Sequence, residues 1–321
     1  MFTDMVKYIF AFPGQGAQTP GMMKAVCEKH AEGKAVLDRF SKVTGIDVPA
    51  LLWNSTEAEL ARSDNSQVAI TASSLAAVEI LKKFGAEPSV AAGFSLGEWS
   101  ALCVSGVLSF DETAYAVKRR GEIMQAVCEQ IAAESQGNAP GMAACIGLPP
   151  EAVIEAVKGI DGVFAANLNS VRQTVLSGTK DGLEKVGEAL KNAGVKRFIP
   201  LKVAGPFHSP LMQRAADQFE KVLDELHFNN PKFPIFSNVS GKQVQSAEEA
   251  KVNCIKHLTH PVLWTSEESE IAKFCAANAS DEFKLLEVGP GKVLNGLWRD
   301  SGNMEKIPSF EWENFIELEN N

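Results

Sequence analysis

The sequence predicts an α/β protein: a large α/β-hydrolase-like core on a parallel sheet, with a small ferredoxin-like (βαββαβ) subdomain inserted in it. Three observations carry this. Apolar runs of strand length, such as Tyr8 to Phe12 and Ser89 to Gly93, alternate with helix-length stretches, the pattern of a sheet covered on both faces. One such run ends in Gly93-Phe94-Ser95-Leu96-Gly97, a G-x-S-x-G sequence that turns a strand sharply into a helix. From Gly141 to Val203 the elements become short and run strand, helix, strand, strand, helix, strand. The core then comprises residues 1–135 and 204–321, and the small subdomain residues 136–203.

In chain order, Tyr8 to Phe12 is a buried strand stopped by Pro13-Gly14. Val68 to Phe84 is a buried helix, Ser89 to Gly93 the next core strand, and Glu98 to Leu108 a helix. Ser109 followed by Glu112 has capping-box spacing and starts a helix running to about Ile131. Gln136 to Gly141 is a loop-rich hinge. Within the insert, Met142 to Gly147, Val163 to Leu168, Thr174 to Leu176 and Arg197 to Val203 are strands. Pro150 to Lys158 and Asp181 to Ala193 are its helices. After Gly205, Leu211, Met212, Ala215, Ala216, Phe219, Val222, Leu223 and Leu226 recur at helical spacing and form one apolar face. Pro234 to Val239 and Phe283 to Val288 are core strands, the second ending at Gly289-Pro290-Gly291. Asn303 to Asn321 is a polar tail with Phe310, Trp312 and Phe315 as anchors.

Composition narrows the function class. A net charge of −9 lacks the basic footprint of a general nucleic-acid binder. The six cysteines are scattered without a C-x-x-C pair, as in an intracellular protein with reduced thiols. None of the five histidines has zinc-ligand spacing, so no metal is expected. Met1 to Phe12 lacks a leader-like apolar region and no run reaches membrane-span length, so the expected compartment is the cytoplasm, with a monomer as the default state.

Ser95 is the candidate nucleophile, on an exposed apex beside free N–H groups at a helix start. Taken alone, the pentapeptide is equally a glycine-bracketed turn that holds a serine. A serine needs a base, and His208, between a strand and the amphipathic helix, is the best placed. His30 and His227 fall on polar helical stretches and are expected to be solvated. His257 and His260 flank Leu258-Thr259, and either is compatible with a structural role. Gly14-Gln15-Gly16 follows the first strand. Thr19 stands where a third glycine would complete G-x-G-x-x-G, which disfavours a dinucleotide site. That loop is either a plain strand-to-helix turn or half of an oxyanion hole, the Gln15 N–H pairing with that of Leu96. Arg120, at the edge of an apolar helix face, either snorkels to solvent or pairs with an acid, or else holds a substrate carboxylate.

Together these pieces resemble the malonyl-CoA:acyl-carrier-protein transacylases of fatty-acid synthesis and the related acyltransferase domains of polyketide synthases. The resemblance spans Phe12 to about Gly296. It rests on Gly14-Gln15-Gly16-Ala17-Gln18, Gly93 to Glu98, Arg120-Gly121, Phe207-His208-Ser209-Pro210-Leu211-Met212 and Glu287-Val288-Gly289-Pro290-Gly291, in the family's order. It implies Ser95 as nucleophile, His208 as base, the Gln15 and Leu96 N–H groups as oxyanion donors and Arg120 as the clamp for the malonyl carboxylate. It further implies Gln67, Phe207, Asn167 and Asn169 as cleft residues, Phe207 disfavouring an α-methyl branch. The backbone carbonyl of His257 would orient His208. Two positions depart from the common pattern: Phe94 stands where many members have histidine, and His257 where glutamine is usual.

The implied reaction carries malonyl from malonyl-CoA through a malonyl-serine ester to the phosphopantetheine thiol of acyl carrier protein. It needs no bound cofactor, since the phosphopantetheine arrives on the partner. Lys196, Arg197 and Lys202, or Lys118 and Arg119, are candidates for docking an acidic carrier, or are plain solvated charge. The alternatives are a stand-alone acyltransferase of a polyketide pathway, a serine thioesterase or esterase on the same elbow, and a non-catalytic carrier-binding scaffold.

Overall fold

The computed structural model describes residues 6–319; Met1 to Met5, Asn320 and Asn321, which belong to the two terminal stretches, lie outside the described residues. The chain begins with β1 (Val6–Phe12), then α1 (Lys24–Lys29), α2 (Ala31–Thr44), α3 (Val48–Asn54), α4 (Glu57–Ala61) and α5 (Ser63–Lys83). β2 (Pro88–Gly93), α6 (Gly97–Val104) and α7 (Phe110–Glu134) follow. Next come β3 (Gly141–Ile146), α8 (Pro150–Val157), β4 (Val163–Ser170), β5 (Gln173–Gly178), α9 (Lys180–Asn192) and β6 (Arg197–Pro200). The last third holds α10 (Gln213–Leu223), α11 (Ala247–Lys256), α12 (Trp264–Ala277), β7 (Glu282–Glu287), α13 (Val293–Asp300), β8 (Ser309–Glu311) and α14 (Trp312–Glu319).

The first sheet is parallel throughout, in the order β2-β1-β7-β8. β1 is apolar without alternation because both its faces are covered. Phe10 and Phe12 pack on one side against Leu37, Val68, Leu75 and Val117, while Ile9 and Ala11 pack on the other against Trp264, Ile271 and Trp298. α5 lies almost wholly inside the first of these layers, which explains its weak amphipathic pattern. α7 starts at the capping box, with Ser109 Oγ accepting the Glu112 N–H at 3.2 Å and Glu112 Oε2 accepting the Ser109 N–H at 3.0 Å.

The second sheet is antiparallel, in the order β4-β5-β3-β6, and lies between α7 and α10 in the chain. One face carries its own core of Cys145, Val153, Val163, Leu176, Val186 and Leu190 under α8 and α9. The other face turns Met142, Ala144, Ala166 and Val175 towards the main core. This period of two along each strand lets one thin sheet serve two environments.

Four expectations need correction. Pro234 to Val239 is not a ladder strand; it makes only isolated bridges, Ala91 with Ile235 and Phe236 with Gln243. Pro234 has no N–H, and the Asn238 N–H is taken by a Glu98 carboxylate oxygen instead of a neighbouring strand. The last strand of the insert ends at Pro200, short of Val203. α10 ends at Leu223, so Leu226 packs from the turn beyond it. The C-terminal stretch is no simple tail: β8 adds a parallel strand to β7, and α14 buries Trp312 and Phe315, the Trp312 indole N–H donating to Gly289 O at 2.9 Å.

Candidate active site

Ser95 sits where β2 gives way to α6, and its φ is +49°. A non-glycine residue held there is strained by about 1–3 kcal/mol and needs surroundings that enforce it. The flanking glycines allow the turn to be this tight. A Cβ on Gly93 would collide with the Gly97 backbone, and one on Gly97 with the Phe12 carbonyl at the end of β1. Phe94 anchors the apex, its ring edge-to-face with Trp264 at 5.5 Å between centroids.

His208 follows the inserted sheet and is likewise left-handed, at φ +58°. Its Nε2 is 2.7 Å from Ser95 Oγ. Its Nδ1 lies 2.9 Å from the His257 carbonyl and 3.2 Å from the His260 carbonyl. Carbonyl oxygens only accept, so Nδ1 carries the proton and Nε2 is free to accept from the serine hydroxyl. Burial pulls the imidazole down to about 4, and the Arg120 charge adds to the shift, so the ring is neutral at neutral pH.

Two backbone donors stand open beside the serine. Among the described residues, no protein acceptor takes the N–H of Gln15 or of Leu96. The Gln15 side chain is engaged instead, its Oε1 receiving Gln67 Nε2 at 3.3 Å. Arg120 is 1% exposed, deeper than the helix-edge position expected from the sequence. Its Nη1 donates to Gln67 Oε1, while Nε and Nη2 have no partner. Unpaired guanidinium donors in a dry site are costly, and an anion would satisfy them. Burial lowers this guanidinium to about 10, which leaves it charged at neutral pH.

A cleft of about 450 Å³ unites these groups. Gln15, Gln67, Phe94, Ser95, Phe207 and His208 line it from the core, and Met142, Asn167, Asn169 and Val175 from the inserted sheet. Arg120 lies one layer behind this wall, reached through Gln67. His257 is also behind the wall and contributes its carbonyl. A larger groove of about 710 Å³, between α2, α5 and Phe110, holds none of these groups. Of the remaining histidines, His227 is exposed beyond α10, while His30 is half-buried, edge-on to Phe84.

Sequence reasoning missed the polar layer under the elbow. Asn238 accepts the Ser95 N–H through Oδ1 at 2.5 Å, and its own N–H donates to Glu98 Oε2 at 2.9 Å. Burial raises Glu98 to about 7, opposed by hydrogen bonds from Asn238 and Ser237 and by the Arg120 charge. Glu267 is held well above the carboxylate range by burial, with the Glu98 charge adding to it. The available signal was Ser237-Asn238 directly after an apolar run, where a core strand should not turn polar.

Arranged this way, the site can take a proton from a half-buried serine, hold a developing oxyanion and pair with an anionic group. A family model described as acyl transferase domain matches residues 9–279. A malonyl CoA-acyl carrier protein transacylase of Bacillus subtilis (strain 168) is 38% identical over 297 residues, covering 91% of this chain and 90% of that protein. The crystal structure of an acyl carrier protein S-malonyltransferase from Vibrio cholerae is similar with a TM-score of 0.84 at 36% identity, covering 94% of this chain and 95% of the other. A malonyl-transacylase solved in complex with its type II polyketide synthase acyl-carrier protein is similar with a TM-score of 0.86 at 34% identity, over 98% of this chain and 100% of that one. The matched span takes in the elbow, the histidine and the whole inserted sheet, and the chain belongs to the acyl transferase domain family.

Proposed function

We propose that this enzyme transfers the malonyl group from malonyl-CoA to the phosphopantetheine thiol of acyl carrier protein, supplying extender units for fatty-acid synthesis. The observation that carries the mechanism is the 2.7 Å approach of Ser95 Oγ to a His208 Nε2 that can only accept. His208 takes the hydroxyl proton as Oγ attacks the thioester carbonyl. The oxyanion is received by the N–H groups of Gln15 and Leu96. Collapse breaks the C–S bond, and His208 returns its proton to the CoA sulfur. The carrier's thiol then gives its proton to His208 and attacks the malonyl-serine ester, and the serine leaves with that proton. Each thioester is exchanged for another of similar energy, so the site lowers barriers in both directions.

Arg120 sets the substrate class. Its two free donors match a carboxylate, and in a desolvated site such a pair far outweighs one on the surface. Gln67 yields its hold on Nη1 when malonyl enters, and Phe207, Asn167 and Asn169 shape the cleft around the acyl group. The protein acts as two bodies, a hydrolase-like core and a ferredoxin-like subdomain over residues 136–203. The cleft between them limits attack by water on the ester. It works as a monomer in the cytoplasm without a bound cofactor.

The test is labelling by radioactive malonyl-, methylmalonyl- and acetyl-CoA. Malonyl labels Ser95 in the wild type and not in Ser95→Ala. Arg120→Ala lowers malonyl transfer by about 10²-fold, the scale for removing one strong donor beside the reacting group, and relatively favours acetyl. An unchanged malonyl-to-acetyl preference in that variant would overturn the assignment.

A further inference from the structure

One fully buried side chain, that of Asn238, touches the backbone of the nucleophile and the ring of the residue whose carbonyl orients the base. Asn238 Oδ1 accepts the Ser95 N–H at 2.5 Å and faces His257 Nε2 at 3.3 Å. Its Nδ2 donates to Gly93 O at 2.7 Å and to Glu267 Oε1 at 2.8 Å. Acceptors on one side and donors on the other fix which way the amide points, and its two N–H donors are both used. His257 in turn offers its backbone carbonyl to His208 Nδ1 at 2.9 Å. Its ring also lies 3.5 Å from Glu98 Oε2.

We propose that Asn238 is a positioning residue that ties the strained Ser95 backbone to the His257 segment orienting His208, so that one buried amide sets both members of the dyad. The Phe94–Ser95 peptide bond has no sheet ladder to hold it, because β2 ends at Gly93. Asn238 supplies the missing partner from the other side of the elbow. The His257 ring, donating from Nε2, keys its segment to the same oxygen. Burial and the Arg120 charge hold this ring neutral, so that it acts as a single-proton donor. Glutamine in place of His257 would keep an N–H donor on the side chain, whereas leucine would not.

The proposal rests on the Ser95–His208 mechanism, and the experiment separates the two. Rapid-quench labelling of Ser95 by malonyl-CoA is measured alongside KM and thermal unfolding. Asn238→Ala slows acylation by about 10²-fold at unchanged KM, the scale of a misplacement of about an ångström. His257→Leu slows it in part, His257→Gln restores the rate, and adding His257→Leu to Asn238→Ala costs nothing more. Wild-type acylation in Asn238→Ala, or a loss confined to KM or to the folded fraction, overturns the proposal. Should Asn238→Ala not fold, the His257 pair decides: His257→Leu acylating like the wild type, or His257→Gln no better than His257→Leu, refutes it. Normal labelling in Ser95→Ala would instead refute the mechanism itself. An inactive Ser95→Ala with a fully active Asn238→Ala refutes only the role of Asn238.

Discussion

Ser95 and His208 are both held at left-handed backbone angles, and His208 is buried. The electrostatic consequence is a base that stays neutral well below its ordinary range. His208 is pulled from 6.5 to about 4, so kcat/KM for malonyl-CoA should stay flat on lowering the pH past 6.5 and fall only near 4. A rate profile from acid to neutral pH checks this, and an acid limb centred at 6.5 would contradict it. Stability follows a different rule. In the window from about 4 to 6.5 the unfolded chain binds the His208 proton and the folded one does not, so this group loses stability as pH falls. Glu98, raised from 4.5 to about 7, has the opposite sign: the folded state keeps the proton, and stability is lost as pH rises through that window. The two slopes oppose each other where the windows overlap. The closeness of Ser95, His208 and the Gln15 loop was legible in sequence because glycines mark the two turns and the resemblance singles out one of the five histidines. Asn238, Glu98 and Glu267 were not, since their roles arise from burial against residues more than a hundred positions away or on other helices.

Among elements, the elbow and the helix caps make contrasting demands. Gly97 packs directly on the end of β1, so Gly97→Ala should cost about 1–3 kcal/mol by overpacking and lower acylation as well, because the turn itself shifts. Ser109→Ala removes only a cap on α7 and should cost about 1 kcal/mol with acylation unchanged. Denaturant titration alongside the labelling rate distinguishes the two. The start of α7 was readable at Ser109 because a capping box is a local code. The short strand β8 was not: three residues are too few to carry periodicity, and only pairing with β7 makes them a strand. Pro234 to Val239 failed in the opposite sense. Its apolar residues do belong to the core and the Phe236 N–H reaches Ala91 O in β2, but from Ser237 on the N–H groups serve a turn and side chains.

At the scale of the molecule, on the function proposed above, an enzyme of net charge −9 that receives a carrier of the expected acidic kind does so against its own field. Lys118 and Arg119 are poor candidates, because Lys118 Nζ donates to Thr44 O at 2.8 Å and Arg119 pairs with Glu122. Lys196, Arg197 and Lys202 are exposed, and Lys202 reaches the rim of the cleft. Reversing these three charges should lower transfer to the carrier by about tenfold or more at low salt, with Ser95 acylation by malonyl-CoA intact. Equal transfer rates across a salt series would exclude that patch. The inserted sheet has one more property. β3 and β6 run side by side with Ala143 opposite Pro200, so the chain leaves the main body and returns to it at one place. Once that sheet has formed, the connection from Ser95 to His208 is short-circuited to roughly half its length. By loop-closure scaling this changes the entropy of joining the two by only about 0.6 kcal/mol. The insert therefore adds a wall to the cleft with little effect on the cost of bringing serine and histidine together. Changes in its outer helices and turns leave the serine–histidine closure beneath them almost unaffected.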